Sequence, residues 1–287
     1  MYLNTQVDDM HLDTELYSPS GSVFRIRTSD LNAHKTWQTN INTRLNTGSN
    51  YFVEIGHNGN GDIDVATDTS QGQTACTPPY AVDYDSPPDT PLEFQKPLGT
   101  GTDLWPPEFN NYTWSLTCAK LDSIATWFYN NPSTFAALSH TFTHEELNNA
   151  TYHDASREIY FNIAWLKQIG LWTSNKFSTT GLIPPAITGL HNGDAIKAWM
   201  DNGIKYVVGD NTRPVLRHPV RKNSIATASF SADPQIRQIH FILLSPMLLT
   251  TAMLALLLFL DGVKLNVFLS TSLLLTSIKS DHNLLQL

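Results

Sequence analysis

Phe135-Ala136-Ala137-Leu138-Ser139-His140-Thr141-Phe142-Thr143-His144 reads as a short apolar run that stops at two histidines four residues apart. A run of this length with polar flanks predicts a buried strand. The histidines then sit at its carboxyl end. Tyr2-Leu3-Asn4-Thr5-Gln6-Val7 has the same form and stops at Asp8-Asp9. The two motifs look like halves of one metal site. One carboxylate and two imidazoles can hold a divalent cation and leave a position open for water. The spare carboxylate beside the ligand would then be a base for that water.

Working outward, Tyr51-Phe52-Val53-Glu54-Ile55 predicts another strand, followed by Gly56-His57-Asn58-Gly59-Asn60-Gly61, a loop expected to need unusual backbone angles. Helical spacing of Leu31, His34, Trp37, Gln38 and Ile41 predicts a helix from Leu31 to Arg44, with Ser29 or Asp30 as cap. Further helices are expected over 115–130, 153–169 and 191–202. Leu182-Ile183-Pro184-Pro185 predicts a short strand or loop, and Ile204-Lys205-Tyr206-Val207-Val208 a buried strand ending at Gly209-Asp210. Strands alternating with helices imply a parallel sheet or barrel, whose sites gather at the carboxyl ends of the strands. Asp8-Asp9, the His57 loop, His140, His144 and Asp210 all fall at such ends.

The 287 residues suffice for one large α/β domain or two small ones. Hydrophobic residues make up 41% and charged residues 15%, which predicts a folded core. A net charge of -8 without a basic block excludes nucleic acid as the main partner. Cys76 and Cys118 lack zinc-ribbon spacing and are read either as a disulfide or as two buried thiols. The sequons at Asn111 and Asn149 favour the disulfide and are candidate glycosylation sites. No secretory signal follows Met1, so the chain is read as unsecreted or as starting inside a longer one. Residues 68–112, rich in Pro, Gly, Thr and Asp, predict a long irregular excursion whose aromatics form a wall of the cleft. Trp105 or Trp114 is a candidate platform for a sugar face, whereas Trp37, Trp127, Trp165 and Trp199 fall on core-facing helix positions.

After Arg237 only Asp261, Lys264, Lys279 and Asp281 are charged, and residues 241–260 carry no charge. Twenty apolar residues reach about 30 Å, the depth of a bilayer core. This stretch is read as a candidate membrane span, as buried helices, or as an aberrant end to an interrupted β/α pattern.

Gln6-Val7-Asp8-Asp9-Met10 resembles the Thr-Phe-Asp-Asp-Gly motif of polysaccharide deacetylases, and Ser139-His140-Thr141-Phe142-Thr143-His144 resembles their His-Ser/Thr-x-x-His motif. Residues 54–61, 147–152, 190–195 and 209–214 are similar to the fungal galactosaminogalactan deacetylases. The resemblance spans 2–216. It implies a distorted, incomplete (β/α) barrel over 1–216, with 217–287 as a divergent hydrophobic tail. It also implies a secreted or cell-surface location, with membrane anchoring through 241–260 as the alternative. By this likeness Asp9, His140 and His144 bind the metal, zinc above other divalent ions, and Asp8 is the catalytic base. The same ligand set also suits iron, which would make the protein an oxygenase. Pro185 and Asp210 fall at the third and fourth motifs and, with His57 and Asn58, are candidate substrate contacts. Leu182 and Ile183 stand where the family has an Arg. The Leu-x-x-His motif that supplies the general acid is missing: neither His240 nor His282 follows a Leu by three residues. The expected activity is metal-dependent removal of N-acetyl groups from an N-acetylhexosamine polymer. The alternative is a non-catalytic remnant that binds the sugar or the metal.

Overall fold

Runs of two to six extended residues, too short to make helices, become the strands of one parallel sheet. The computed structural model describes residues 5–68, 75–84, 90–91 and 94–209, and the backbone of 237–240 and 243–244. The strands are β1 (Thr5–Val7), β4 (Val53–His57), β5 (Ala136–Ser139), β6 (Phe177–Leu182), β7 (Tyr206–Gly209), β8 (Arg237–His240) and β9 (Leu243–Leu244). Their order is β8-β7-β6-β5-β4-β1-β9, all neighbours parallel. The central strands curl into a half-barrel, in agreement with the incomplete barrel expected. A small antiparallel hairpin, β2 (Thr14–Glu15) with β3 (Val23–Phe24), stands beside it.

Parallel neighbours need crossovers. These carry the helices α1 (Thr28–Arg44), α2 (Gly59–Thr67), α3 (Leu116–Ala119), α4 (Ser123–Asn130), α5 (Tyr152–Gln168) and α6 (Gly193–Asp201). Helix α1 starts earlier than read: Asp30 lies inside its first turn and accepts from the Arg27 N–H at 3.0 Å. The helix expected over 115–130 is two helices. Asp122 interrupts it, because its carboxylate caps α4 by accepting from the N–H groups of Ile124 and Ala125. The strand read near Leu182 begins at Phe177.

The loop expected at 56–61 is instead the end of β4 and the start of α2. Its glycines do not have positive φ; they permit close approach. A Cβ on Gly59 would lie 2.6 Å from Trp165 Cγ, and one on Gly61 would lie 2.4 Å from the His11 carbonyl oxygen. Residues of the excursion before α3 pack inward. Trp105, Phe109 and Trp114 are buried with Phe142 and Phe161, so neither Trp105 nor Trp114 can stack on a sugar. Trp127, Trp165 and Trp199 are core residues as read. Cys76 and Cys118 form a disulfide, closing a separation of 42 residues.

Asp210 lies outside the described residues, as do 217–287 apart from the backbone of β8 and β9. Among the described residues no helix is long and apolar enough to cross a membrane. The candidate span 241–260 is outside them except at Leu243–Leu244, where the backbone is a strand beside β1.

Candidate metal centre

Strands β1 and β5 end at the same edge of the sheet, separated by β4, so the residues that follow them meet above Gly56. A Cβ there would come within 3.1 Å of His140 Cβ. His140 and His144 each place Nε2 3.0 Å from the same Asp9 oxygen, Oδ1. Their ring centroids are 4.7 Å apart. His140 is buried, while Asp9 and His144 are partly open, with 35% and 24% of their side chains exposed. The three residues predicted as ligands thus converge, and the centre has one solvent-facing side.

The tautomer of His140 tests the fit of a cation. Its Nδ1 lies 2.8 Å from the Ile183 carbonyl oxygen, which can only accept, so Nδ1 carries the proton. A neutral ring then turns a lone pair at Nε2 toward a carboxylate. That meeting of acceptors needs either a second proton or a cation. A tetrahedral ion with bonds of about 2.0–2.1 Å sets its ligand atoms about 3.3 Å apart, near the observed 3.0 Å. A histidine ligand whose other nitrogen donates to a backbone carbonyl is the usual supporting arrangement. The residues therefore fit a divalent cation.

Without an ion, burial opposes charge on His140, but the Asp9 hydrogen bond and the Asp8 and Asp9 charges outweigh it and raise the pKa. Burial likewise opposes charge on Asp9, but the two histidines hold it well below the usual carboxylate range. Burial, with the Asp9 charge, raises Asp8 despite attraction from His140. Asp9, Thr141 and His144 have φ of 57°, 65° and 71°. Left-handed backbone at three non-glycine residues of one site costs on the order of 1–3 kcal/mol each and clusters where function demands geometry.

Supporting groups invisible as motifs hold this edge. Asn58 donates from its amide to the carbonyls of His140 and Thr141. Asn162 of α5 donates to the His57 carbonyl and to Ser139 Oγ, both at 2.7 Å, and accepts from the Gly59 N–H at 2.9 Å. Spacing gave no signal for Asn162 or for the Ile183 carbonyl. His57, Asn58 and Pro185, read as candidate substrate contacts, are all buried. His57 packs against Phe128 and Trp165, Asn58 serves the backbone, and Pro185 follows Ile183 in the turn behind His140. Asn111 is exposed and Asn149 half-buried. A cleft of about 490 Å³ runs past the His144 turn, between Thr143, Glu145, Asp13 and Asp83.

A second histidine–carboxylate group is sealed under the helices. His11 Nδ1 donates to Asp62 at 2.8 Å, and its Nε2 lies 2.7 Å from His57 Nδ1. Arg25 bonds Asp62 at 2.7 Å and Asp122 at 2.9 Å. Burial pushes His11 down to about 3, and pushes Asp62 and Asp122 up to about 6. A third group, Asp103, His153 and Asp154, also brings ligand-type atoms together. There both Asp154 oxygens already accept the N–H groups of Leu104 and Trp105, so it clamps a loop to α5.

The profile of the Agd3 deacetylase domain matches residues 3–239. The chain is similar to a solved structure described as Agd3, a novel carbohydrate deacetylase, with 52% identity and a TM-score of 0.75. The match covers 83% of this chain and 36% of that one, so the chain spans about a third of its relative's length. No curated protein matches. The chain belongs to the Agd3 deacetylase domain family.

Proposed function

We propose that the chain hydrolyses N-acetyl groups of an N-acetylhexosamine polysaccharide, of the galactosaminogalactan type. It would do so with a divalent cation, zinc by its donor set, held by Asp9, His140 and His144. The observation that carries this reading is the shared Asp9 oxygen faced by two imidazoles, one with its tautomer fixed by the Ile183 carbonyl. Family membership and the likeness to a carbohydrate deacetylase support the substrate class. When bound, the cation would supply Lewis acidity toward the acetamide carbonyl and acidify a water molecule.

The chain's own residues supply the rest. Asp8 sits next to the ligand and accepts the proton of the attacking water. Its partial burial keeps its carboxyl basic. His140, locked by Ile183, keeps Nε2 aimed at the site. Removing acetyl groups leaves amines, so the product polymer gains positive charge and adheres to anionic surfaces. The Cys76–Cys118 disulfide supports a secreted or cell-surface location.

The test is acetate release from an acetylated galactosamine oligosaccharide supplied with zinc. Acetate that disappears with chelator and in Asp8→Asn supports the reading. A second reading, a chain that binds polymer without turning it over, is favoured by Leu182 and Ile183 in place of the expected arginine. Metal and oligosaccharide binding with no acetate would establish that one instead.

A further inference from the structure

We infer that Glu158, on the buried face of α5, is a positioning residue for the metal centre: it clamps the turn that carries His144. The inference rests on Asp9, His140 and His144 being the metal ligands.

Thr141 and His144 both have left-handed φ, and Phe142 and Thr143 lie between them. A short turn with two such residues does not hold itself, since each costs about 1–2 kcal/mol relative to ordinary backbone. Glu158 closes it. Its Oε2 accepts the consecutive N–H groups of Phe142 at 2.7 Å and Thr143 at 2.9 Å. Its Oε1 accepts from the hydroxyls of Thr143 and, at 2.9 Å, Tyr84. The side chain is fully buried. None of these partners is a metal ligand, yet three of the four bonds end on the two residues just before His144.

Without the carboxylate, the buried Phe142 N–H and the partly buried Thr143 N–H lose their acceptor. The turn then gains by relaxing toward ordinary φ, and His144 moves relative to Asp9. Tyr84 ties the same carboxylate to the segment stapled by Cys76–Cys118, so the clamp also locks the cleft wall against the turn. The pattern discriminates among substitutions. A glutamine can accept both N–H groups through its oxygen and donate to the two hydroxyls through its NH₂. An alanine can do neither.

The experiment titrates zinc alone, by calorimetry or against a chelating dye, into the full chain and its variants, with circular dichroism to verify folding. Parent protein should bind zinc, and His144→Ala should abolish this. Glu158→Ala should weaken zinc at least about 10-fold, within the range for groups that orient ligands. Glu158→Gln should restore affinity to within about 3-fold of the parent. A folded Glu158→Ala protein with parental zinc affinity overturns the inference and leaves the metal centre standing. If Glu158→Ala does not fold, Thr143→Val, which removes one clamp bond, should weaken zinc about 3-fold or more, and parental affinity there overturns the inference equally. Zinc binding unaffected by His144→Ala would overturn the reading of the centre and the clamp with it.

Discussion

Two histidine–carboxylate groups flank the same sheet edge, and they differ in every respect that matters for chemistry. Asp9, His140 and His144 converge on one oxygen, stay partly open and sit on left-handed backbone. His11, Asp62 and His57 are fully buried, and Arg25 and Asp122 complete their ion pairing. Only Met10 separates Asp9 from His11 in the chain. Residue type is therefore no guide to function here. What distinguishes the first group is the convergence of two imidazoles on one carboxylate oxygen. The second already holds its counter-cation, the Arg25 guanidinium, which is part of the fold.

The largest effects should separate the two groups cleanly. His144→Ala should cost metal affinity far more than the 10–100-fold typical of supporting residues, with little change in the unfolding midpoint of the metal-free protein. Equilibrium dialysis together with thermal denaturation checks both halves. Asp8→Asn should lose about 10²–10⁴-fold in acetate release while still binding metal. A variant that retains its rate would remove Asp8 from the chemistry.

Arg25→Met attacks the sealed group. It leaves Asp62 and Asp122 buried without a cation, and unfolding in urea should show a loss of about 3–5 kcal/mol. If stability is unchanged while metal binding fails, the division drawn between the two regions is wrong. Replacing Cys76 and Cys118 with serine releases a 42-residue separation, and the closure entropy predicts a loss of about 4 kcal/mol.

The smallest effect is the dependence on pH. Burial pushes Glu158 up to about 7 and Asp62 and Asp122 up to about 6. Each binds its proton more tightly folded than unfolded. Their contribution is therefore fully present below the unfolded carboxyl range, near pH 4, and declines as pH rises to about 7. His11, driven by burial to about 3, has the opposite sign: its contribution is full above pH 6.5 and falls as pH drops toward 3. Glu158→Gln removes the first trend in part. Between pH 4.5 and 7 its stability should rise relative to the parent by on the order of 2 kcal/mol, measured by denaturant unfolding across that range. A flat difference would show that Glu158 is ionised throughout.

Much of the centre was legible in the chain. Asp8-Asp9 and His140-x-x-x-His144 follow short apolar runs, and carboxyl ends of parallel strands share one edge of a sheet. The helices α5 and α6 were legible because their apolar periodicity and caps coincide. Helix α2 was not: its glycines read as loop, while the actual reason for them is the approach of Trp165 and His11. The burial of His57 and Asn58 was not legible, because strand-end position says nothing about which face a side chain takes. Residue 56 meets His140, while His57 turns to Phe128 and Trp165 under the helices.

The amino-acid sequence by itself determined the parallel α/β pattern and the identity of the converging groups, because strand length, helical period and residue chemistry are local properties. Tertiary structure alone decided which histidines stay open, which carbonyl fixes the His140 tautomer, and that Glu158 grips the turn before His144. Those outcomes depend on burial and on hydrogen-bond partners 16 to 131 positions away in the chain, and the sequence encodes them only through the folded geometry.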